Sequence, residues 1–424
     1  MFYDLLILGG GPAGYHAAEY AAKRGLHVAL FEESALGGVC LNEGCIPTKT
    51  LSHFRGTLAD AQVRKTAVVD QLRAGIASLM SNKLITVVPG HAAFKDAKTV
   101  VVDGNEYTAD KIIIATGSVP AVLPVPGADR PFVLDSTGIL ELEEVPAHLC
   151  VIGGGVIGLE FASIFRKFGS EVTVVEYAKE VLPNFDSDLA KRLRLALKAR
   201  GIAIETGACV TEIGDGFVRY EKKGESVDVP CDKVLMAVGR RPRVDDLGLE
   251  AAGVDYSRRG ISVDDNMLTN VPDIYAIGDV NARLMLAHVA TFQGRRVLNH
   301  IEGLQDRIRF DLVPAAVFTE PEAAAVGLTE DAAKERGIAV KCLKSFFRAN
   351  GKAVSMDETE GYCKWVTDAE SGKILGCHLF GAHSSDLVHE ATVLLNFGAS
   401  VDDLKNIIHA HPTLSEVLES AVLS

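Results

Sequence analysis

Two cysteines, Cys40 and Cys45, stand with four residues between them in the stretch Gly37-Gly38-Val39-Cys40-Leu41-Asn42-Glu43-Gly44-Cys45-Ile46-Pro47-Thr48-Lys49. On a helix that spacing sets the sulfurs about one and a half turns apart, and a slight local unwinding brings them within disulfide reach. The stretch follows shortly after a glycine-rich nucleotide loop, so electrons could pass from a bound dinucleotide to sulfur. The pair therefore reads as a redox-active disulfide. A metal site is the next reading, but such sites usually combine CxxC with another CxxC or a His pair, and neither follows, so no metal is expected. A structural disulfide suits an oxidising compartment, whereas this chain reads as intracellular and has no other paired cysteine spacing.

Near the other end lies His409-Ala410-His411-Pro412-Thr413-Leu414-Ser415-Glu416. Thiolate and not thiol attacks a disulfide, so thiol chemistry near neutral pH calls for a base with a pKa of about 6.5, the ordinary value of histidine. His411 can be that base. Glu416 lies five residues on, with Pro412 expected to start a helix between them. Its carboxylate would hold the imidazole in one tautomer and stabilise the imidazolium. His288, His378, His383 and His389 have no such neighbourhood and read as surface or core histidines.

The elements that must position these groups begin with the strand Tyr3 to Leu8 and the loop Gly9-Gly10-Gly11-Pro12-Ala13-Gly14, which runs into an Ala-rich helix ending at Gly25. Gly9 suits the tight turn, Gly11 the point where pyrophosphate approaches the backbone, and Gly14 the contact of helix with strand. The helix start, where Pro12 leads into Ala13, offers an anion a favourable dipole and the free N–H groups of the first turn from Ala13 onward. A second strand, His27 to Phe31, ends in Glu32, placed for a ribose hydroxyl. Val151 to Gly158 repeats the pattern with Gly153, Gly155 and Gly158, and the strand Glu171 to Val175 ends in Glu176. A carboxylate there accepts from the 2′-hydroxyl of NAD and repels the 2′-phosphate of NADP, so NAD is expected. Two such folds imply two dinucleotides.

Composition narrows the partners. The chain has 424 residues and a net charge of −13, long enough for two to four domains and wrongly charged for nucleic acid or an anionic membrane surface. Arg240, Arg241 and Arg243 form a short isolated cluster suited to a cofactor phosphate or to salt bridges. The longest apolar run, Leu149 to Phe165, contains Glu160 and four glycines and fits strand, turn and helix better than a membrane span. The chain opens on a strand with no visible signal or transit peptide, so a cytoplasmic location is expected. Cys150, Cys209, Cys231, Cys342, Cys363 and Cys377 stand singly in apolar segments and read as buried packing residues.

The stretch Gly37 to Lys49 resembles the active-site segment of the pyridine nucleotide–disulfide oxidoreductases, most closely their dihydrolipoamide dehydrogenase branch. Five motifs in the family's order extend the resemblance over nearly the whole chain. It implies an α/β fold with two Rossmann-like dinucleotide-binding domains, for FAD and NAD, and a C-terminal α+β dimerisation domain. The expected boundaries are residues 1–119 for the first part of the FAD domain, 120–243 for the NAD domain, 244–311 for a central segment completing the FAD domain, and 312–424 for the interface domain. Ile112 to Gly117, with Thr116 and Gly117, resembles the segment closing the FAD domain beneath the adenosine. Asp273 to Asp279 resembles the second flavin segment, in which Asp279 binds the ribityl chain; its alternative role is to N-cap the following helix. Gly239 lies in the Val238-Gly239-Arg240-Arg241-Pro242 hinge leaving the NAD domain.

The same resemblance implies a homodimer in which His411 and Glu416 reach the neighbouring subunit's disulfide. It also implies an ion pair of Lys49 with Glu160 beside the flavin, where hydride crosses. A dihydrolipoyl group on a 2-oxoacid dehydrogenase or glycine-cleavage protein would reduce the Cys40–Cys45 disulfide, and NAD⁺ would receive the electrons. Glu176 argues against glutathione reductase, and the lack of a C-terminal cysteine pair together with His409 and His411 argues against mercuric reductase. A scaffold subunit without activity would not need Cys40, Cys45, His411 and Glu416 together. The stretch between Lys49 and Ala115 is shorter than usual for the family, around the helical segment Thr57 to Met80.

Overall fold

The computed structural model describes residues 2–423. The chain divides into two compact units: residues 1–121, 136–143 and 239–308 form one, and 122–135, 144–238 and 309–424 the other.

The first unit is built on a mostly parallel sheet. Strand Phe2–Leu8 pairs in parallel with Val28–Glu32 on one side and Asn105–Ile114 on the other. Ile85–Pro89 and Ile274–Ala276 extend the parallel part, while Thr99–Val102 and Ala93–Asp96 add antiparallel strands at one end. Leu5 to Leu8 are at most 1% exposed, the continuous apolar run that a strand covered on both faces needs. Helix Pro12–Lys23 starts directly after the first glycine turn, with Pro12 where no N–H is required, and buries Ala13, Ala17, Ala18 and Ala21. Helix Ala287–Ile301 packs on it closely enough that a Cβ on Gly294 would stand 3.3 Å from that of Ala17.

Helix Leu58–Met80 is 23 residues long and is capped by Thr57, whose Oγ1 accepts from the Asp60 amide at 3.2 Å. Much of its surface is wet, and polar ties seat it. Gln62 Nε2 donates to the carbonyls of Leu140 and Leu142 at 2.9 and 2.7 Å, and Lys65 Nζ to that of Leu140 at 2.7 Å. These bonds draw residues 136–143 into the first unit although the chain on either side of them belongs to the second.

The second unit contains two five-stranded sheets and a smaller three-stranded one. The first is parallel, in the spatial order Ile202–Thr206, Glu171–Glu176, His148–Ile152, Lys233–Met236, Val133–Leu134. Helices Val156–Phe168 and Ser187–Ala199 accompany it, with an antiparallel ribbon of Cys209–Gly214, Phe217–Lys222 and Glu225–Pro230. The other five-stranded sheet is antiparallel: Ala315–Val317, Ala323–Gly327, Ile374–Phe380, Tyr362–Asp368, Val340–Phe346. Its core holds Trp365, whose Nε1 donates to the Leu418 carbonyl at 3.0 Å and so ties helix Glu416–Leu423 down.

One strand departs from the usual pattern of an antiparallel sheet, and one expectation needs correction. The strand Tyr362–Asp368 has no wet face: Lys364 is 2% exposed, its ammonium bonded to both oxygens of Asp186 at 2.9 and 3.0 Å and paired with Glu330 at 2.8 Å. Nor are all six single cysteines buried. Cys209 is exposed and Cys342 partly so, because each lies on the edge strand of its sheet.

Candidate active site and nucleotide cradles

The two glycine loops are alike in detail. Gly9 and Gly153 turn the chain at φ +108° and +110°, and a Cβ there would strike the carbonyl oxygens of Ala115 and Ala237 at 2.4 and 2.3 Å. A Cβ on Gly14 would stand 1.8 Å from Gly9 O, and one on Gly158 2.0 Å from Gly153 O, so each helix lies directly on its strand. Gly11 and Gly155 differ in kind. A Cβ on Gly11 meets only Gly38 Cα at 3.9 Å, and one on Gly155 meets nothing within 4 Å. Each leaves open backbone at a helix start, the cradle that a pyrophosphate fits.

The terminal acids are also matched. Glu32 accepts from the amides of Gly10 at 2.7 Å and Ser34 at 2.8 Å. Glu176 accepts from those of Gly154 at 2.5 Å and Ala178 at 2.6 Å. One amide on each oxygen fixes the carboxylate beside its glycine loop and leaves further lone pairs for a ribose hydroxyl.

Cys40 and Cys45 do not share one helix. Cys40 lies on Gly38–Glu43 and Cys45 opens Cys45–His53, with Gly44 between them. A Cβ on Gly44 would approach Val39 O to 3.0 Å, so the chain folds back there. Both sulfurs are thiols and hydrogen-bond each other, and this bond with burial pushes the Cys40 thiol far above its ordinary range, against the pull of the Lys49 ammonium. Lys49 and Cys45 lie one turn apart on the same helix. No motif pointed to Tyr15, whose phenol is pushed up by burial and then by its neighbour Cys40. Nor did any point to Arg73, which bonds Asn42 between the two cysteines.

Asp279 is not the N-cap of helix Ala287–Ile301, a position held by Leu286. Its carboxylate accepts from Ser118 Oγ at 2.6 Å, and burial raises its pKa. Arg240 Nε donates to the same hydroxyl at 2.7 Å and Nη2 to the Ser118 carbonyl at 2.7 Å. Thr116 Oγ1 donates to the Arg243 carbonyl at 2.8 Å. Gly117 and Gly239 take φ +76° and +117° with open space where a Cβ would be. The arginine cluster otherwise forms salt bridges, Arg241 with Asp245 and Arg243 with Glu33.

In the second unit, His411 Nδ1 lies 2.9 Å from Glu416 Oε1, and Glu416 Oε2 accepts from the Thr413 amide at 2.7 Å. These two bonds, the amide's first, hold the Glu416 carboxyl below its ordinary range. Pro412 does not start a helix. Residues 414–415 form a turn, Thr413 Oγ1 donates to Ala410 O at 2.7 Å, and the helix begins at Glu416. The His411 side chain is 78% exposed. Its neighbour His409 is enclosed, with Nε2 2.8 Å from Glu390 Oε1. Glu160, on helix Val156–Phe168, is 2% exposed and accepts from the Phe318 amide at 3.0 Å. Lys49 belongs to the first unit and Glu160 to the second.

Twin dinucleotide cradles, a dithiol beside one of them and a histidine–glutamate dyad define a flavin-linked disulfide oxidoreductase. Residues 3–294 match the pyridine nucleotide-disulphide oxidoreductases and residues 313–422 their dimerisation domain. The chain belongs to this family, whose cofactors are FAD and NAD, and its dimerisation domain supports a homodimer. It is 41% identical to a dihydrolipoyl dehydrogenase of Bacillus subtilis and 40% identical to that of Geobacillus stearothermophilus, each across 99% of this chain and 95% of the relative. Among solved structures, the HOCl-induced flavoprotein disulfide reductase RclA from Escherichia coli, as its Cu(II) complex, superposes with a TM-score of 0.93 at 34% identity, covering 100% of this chain and 99% of that one. Among the described residues no helix is long and apolar enough to cross a membrane.

Proposed function

We propose that the chain oxidises dihydrolipoamide carried on a lipoyl-bearing protein domain, with NAD⁺ as acceptor, as a cytoplasmic homodimer. The observation that carries this reading is the His411–Glu416 dyad: an exposed imidazole, oriented by a carboxylate that is itself fixed by the Thr413 amide. An oriented base facing outward suits a thiol substrate presented from another chain.

In this reading His411 takes a proton from one dihydrolipoyl thiol, and the thiolate attacks Cys40 of the Cys40–Cys45 disulfide. The S–S bond breaks and Cys45 departs as a thiolate. The second lipoyl thiol then attacks the first sulfur and gives up its proton to the departing Cys40 thiolate, closing the lipoyl disulfide, so that both electrons rest on the cysteine pair. Glu416 keeps the imidazole in the tautomer that accepts the proton at Nε2 and stabilises the imidazolium. Bound FAD supplies the two-electron relay from the dithiol to NAD⁺. Gly9, Gly11, Gly14, Glu32, Thr116, Gly117 and Asp279 are assigned to hold it, and Gly153, Gly155, Gly158, Glu176 and Gly239 to hold NAD. Lys49 and Glu160 are assigned to the hydride-transfer end of the reaction.

The test is a thiol count on the FAD-loaded enzyme together with turnover of dihydrolipoamide and NAD⁺. Two new thiols on NADH addition, a long-wavelength thiolate-to-flavin band lost in Cys45→Ser, and NADH formation from dihydrolipoamide are expected. A band that survives Cys45→Ser overturns the cysteine assignment. Thiol gain without dihydrolipoamide turnover leaves a reductase of another disulfide, the reading favoured by the near-complete length match to RclA.

A further inference from the structure

Cys40 rides on a helix of six residues, Gly38–Glu43, whose N-cap, Gly37, offers no side-chain bond. So short a helix has little stability of its own, and its position must be imposed from outside. Asn42 does this. It stands between the cysteines with its amide saturated: Nδ2 donates to the carbonyls of Gly38 at 2.9 Å, Leu36 at 3.2 Å and Ala35 at 3.4 Å. Oδ1 accepts twice from one guanidinium, that of Arg73, from Nε at 3.1 Å and Nη2 at 2.8 Å. Arg73 belongs to helix Leu58–Met80, which the bonds of Gln62 and Lys65 to the 138–142 turn anchor separately.

We propose that Arg73 is a positioning residue for the Cys40–Cys45 couple, clamping Asn42 and with it the Cys40 helix at the approach to Cys45 from which the disulfide closes. The inference rests on reading these cysteines as the redox centre. Two donors on one edge of a planar group fix Asn42 in direction as well as distance, which a lysine's single point charge does not. Ring closure to a disulfide depends on how often one sulfur meets the other. A looser Cys40 helix therefore favours the dithiol.

The experiment equilibrates FAD-loaded wild type, Arg73→Ala and Arg73→Lys with graded mixtures of lipoamide and dihydrolipoamide and counts thiols at each ratio. Both variants should keep their FAD and shift toward the dithiol by about tenfold in the equilibrium, about 30 mV for a two-electron couple. Asn42→Asp, which turns the donor amide toward three carbonyl oxygens as an acceptor, should shift the same way. Arg73→Lys matching wild type while Arg73→Ala shifts would make charge, not the clamp, the cause and overturn the proposal. So would an unshifted Arg73→Ala. If Arg73→Ala does not fold, Arg73→Lys and Asn42→Asp decide the question by the same count. Failure of wild type to gain two thiols with NADH strikes instead at the redox reading on which the clamp depends.

Discussion

Gly155 and Gly158 lie on the same turn yet make opposite demands, and substituting each by alanine separates a ligand-binding role from a packing one. Gly155 has φ −77° and ψ −177°, extended backbone open to any residue, and a Cβ there meets nothing within 4 Å. Gly155→Ala should therefore fold normally. By narrowing the unfolded chain it should even add about 0.4–1 kcal/mol, roughly 1 °C in melting temperature at the upper end for a chain of this length. The methyl nevertheless occupies the open side of the helix start, where the NAD pyrophosphate is assigned. Hydrogen bonds to a charged group contribute about 1.5–3 kcal/mol each. Loss of one corresponds to a rise of about 10- to 100-fold in KM for NAD⁺, at about 1.4 kcal/mol per factor of ten. In Gly158→Ala the new carbon would lie 2.0 Å from Gly153 O and 3.2 Å from Val151 Cγ1. Backbone must move there, and stability and NAD binding should fall together. The assay pairs thermal melting with KM for NAD⁺ and with FAD content, which neither change should alter. An unchanged KM in Gly155→Ala removes the pyrophosphate from this turn. A melting temperature depressed as far as in Gly158→Ala shows that the open space is not there.

Replacing His411 by Gln should leave NADH-to-dye transfer largely intact and lower dihydrolipoamide oxidation by about 10²–10⁴-fold; mixed dimers with Cys40→Ser should regain activity, and no recovery after proven subunit exchange refutes a base supplied by the second copy. Glu176→Ser with Tyr177→Arg should weaken NAD⁺ use and improve NADP⁺ use, as judged by the ratio of kcat/KM values; a wild type using both equally refutes the ribose role. Lys334 and then Lys364 hold the Glu330 carboxyl down at about 2, below the ordinary value of about 4.3. The stability this contributes is complete above about pH 4.3 and is lost as pH falls toward about 2. Acid unfolding should accordingly be shallower across that window in Glu330→Gln, and equal pH slopes in the two proteins exclude Glu330 as a contributor.

The nucleotide cradles were legible because their demands are local. A turn at Gly9 or Gly153 and a helix lying on its strand at Gly14 or Gly158 each exclude a Cβ by contact with a nearby carbonyl, so the requirement is recorded as glycine at a fixed spacing. The acids Glu32 and Glu176 were legible for the same reason, each closing the strand beside its own loop. Lys364 was not. Alternation along its strand implies a wet face, and only Asp186, 178 residues away, with Glu330, makes its burial tolerable. Arg73 is hidden likewise: an arginine on a largely exposed helix looks like solubility until the fold sets its guanidinium on Asn42. Cys209 and Cys342 misled in the other direction, since apolar surroundings in sequence do not reveal which strand ends up at an edge.

His411 shows where the two kinds of information meet. Its segment pointed to the pair, because five residues of turn and helix start suffice to bring Glu416 to Nδ1. The fold adds what spacing cannot express. His409, two residues earlier, is closed in by Glu390, while the His411 ring stands largely in the open with its orienting bond already made. Orientation without enclosure is a poor arrangement for a base that must work on a desolvated thiol. It becomes a sensible one if the missing walls belong to a second copy of the chain, which is why the mixed-dimer experiment, rather than the single substitution, tests the assignment most directly.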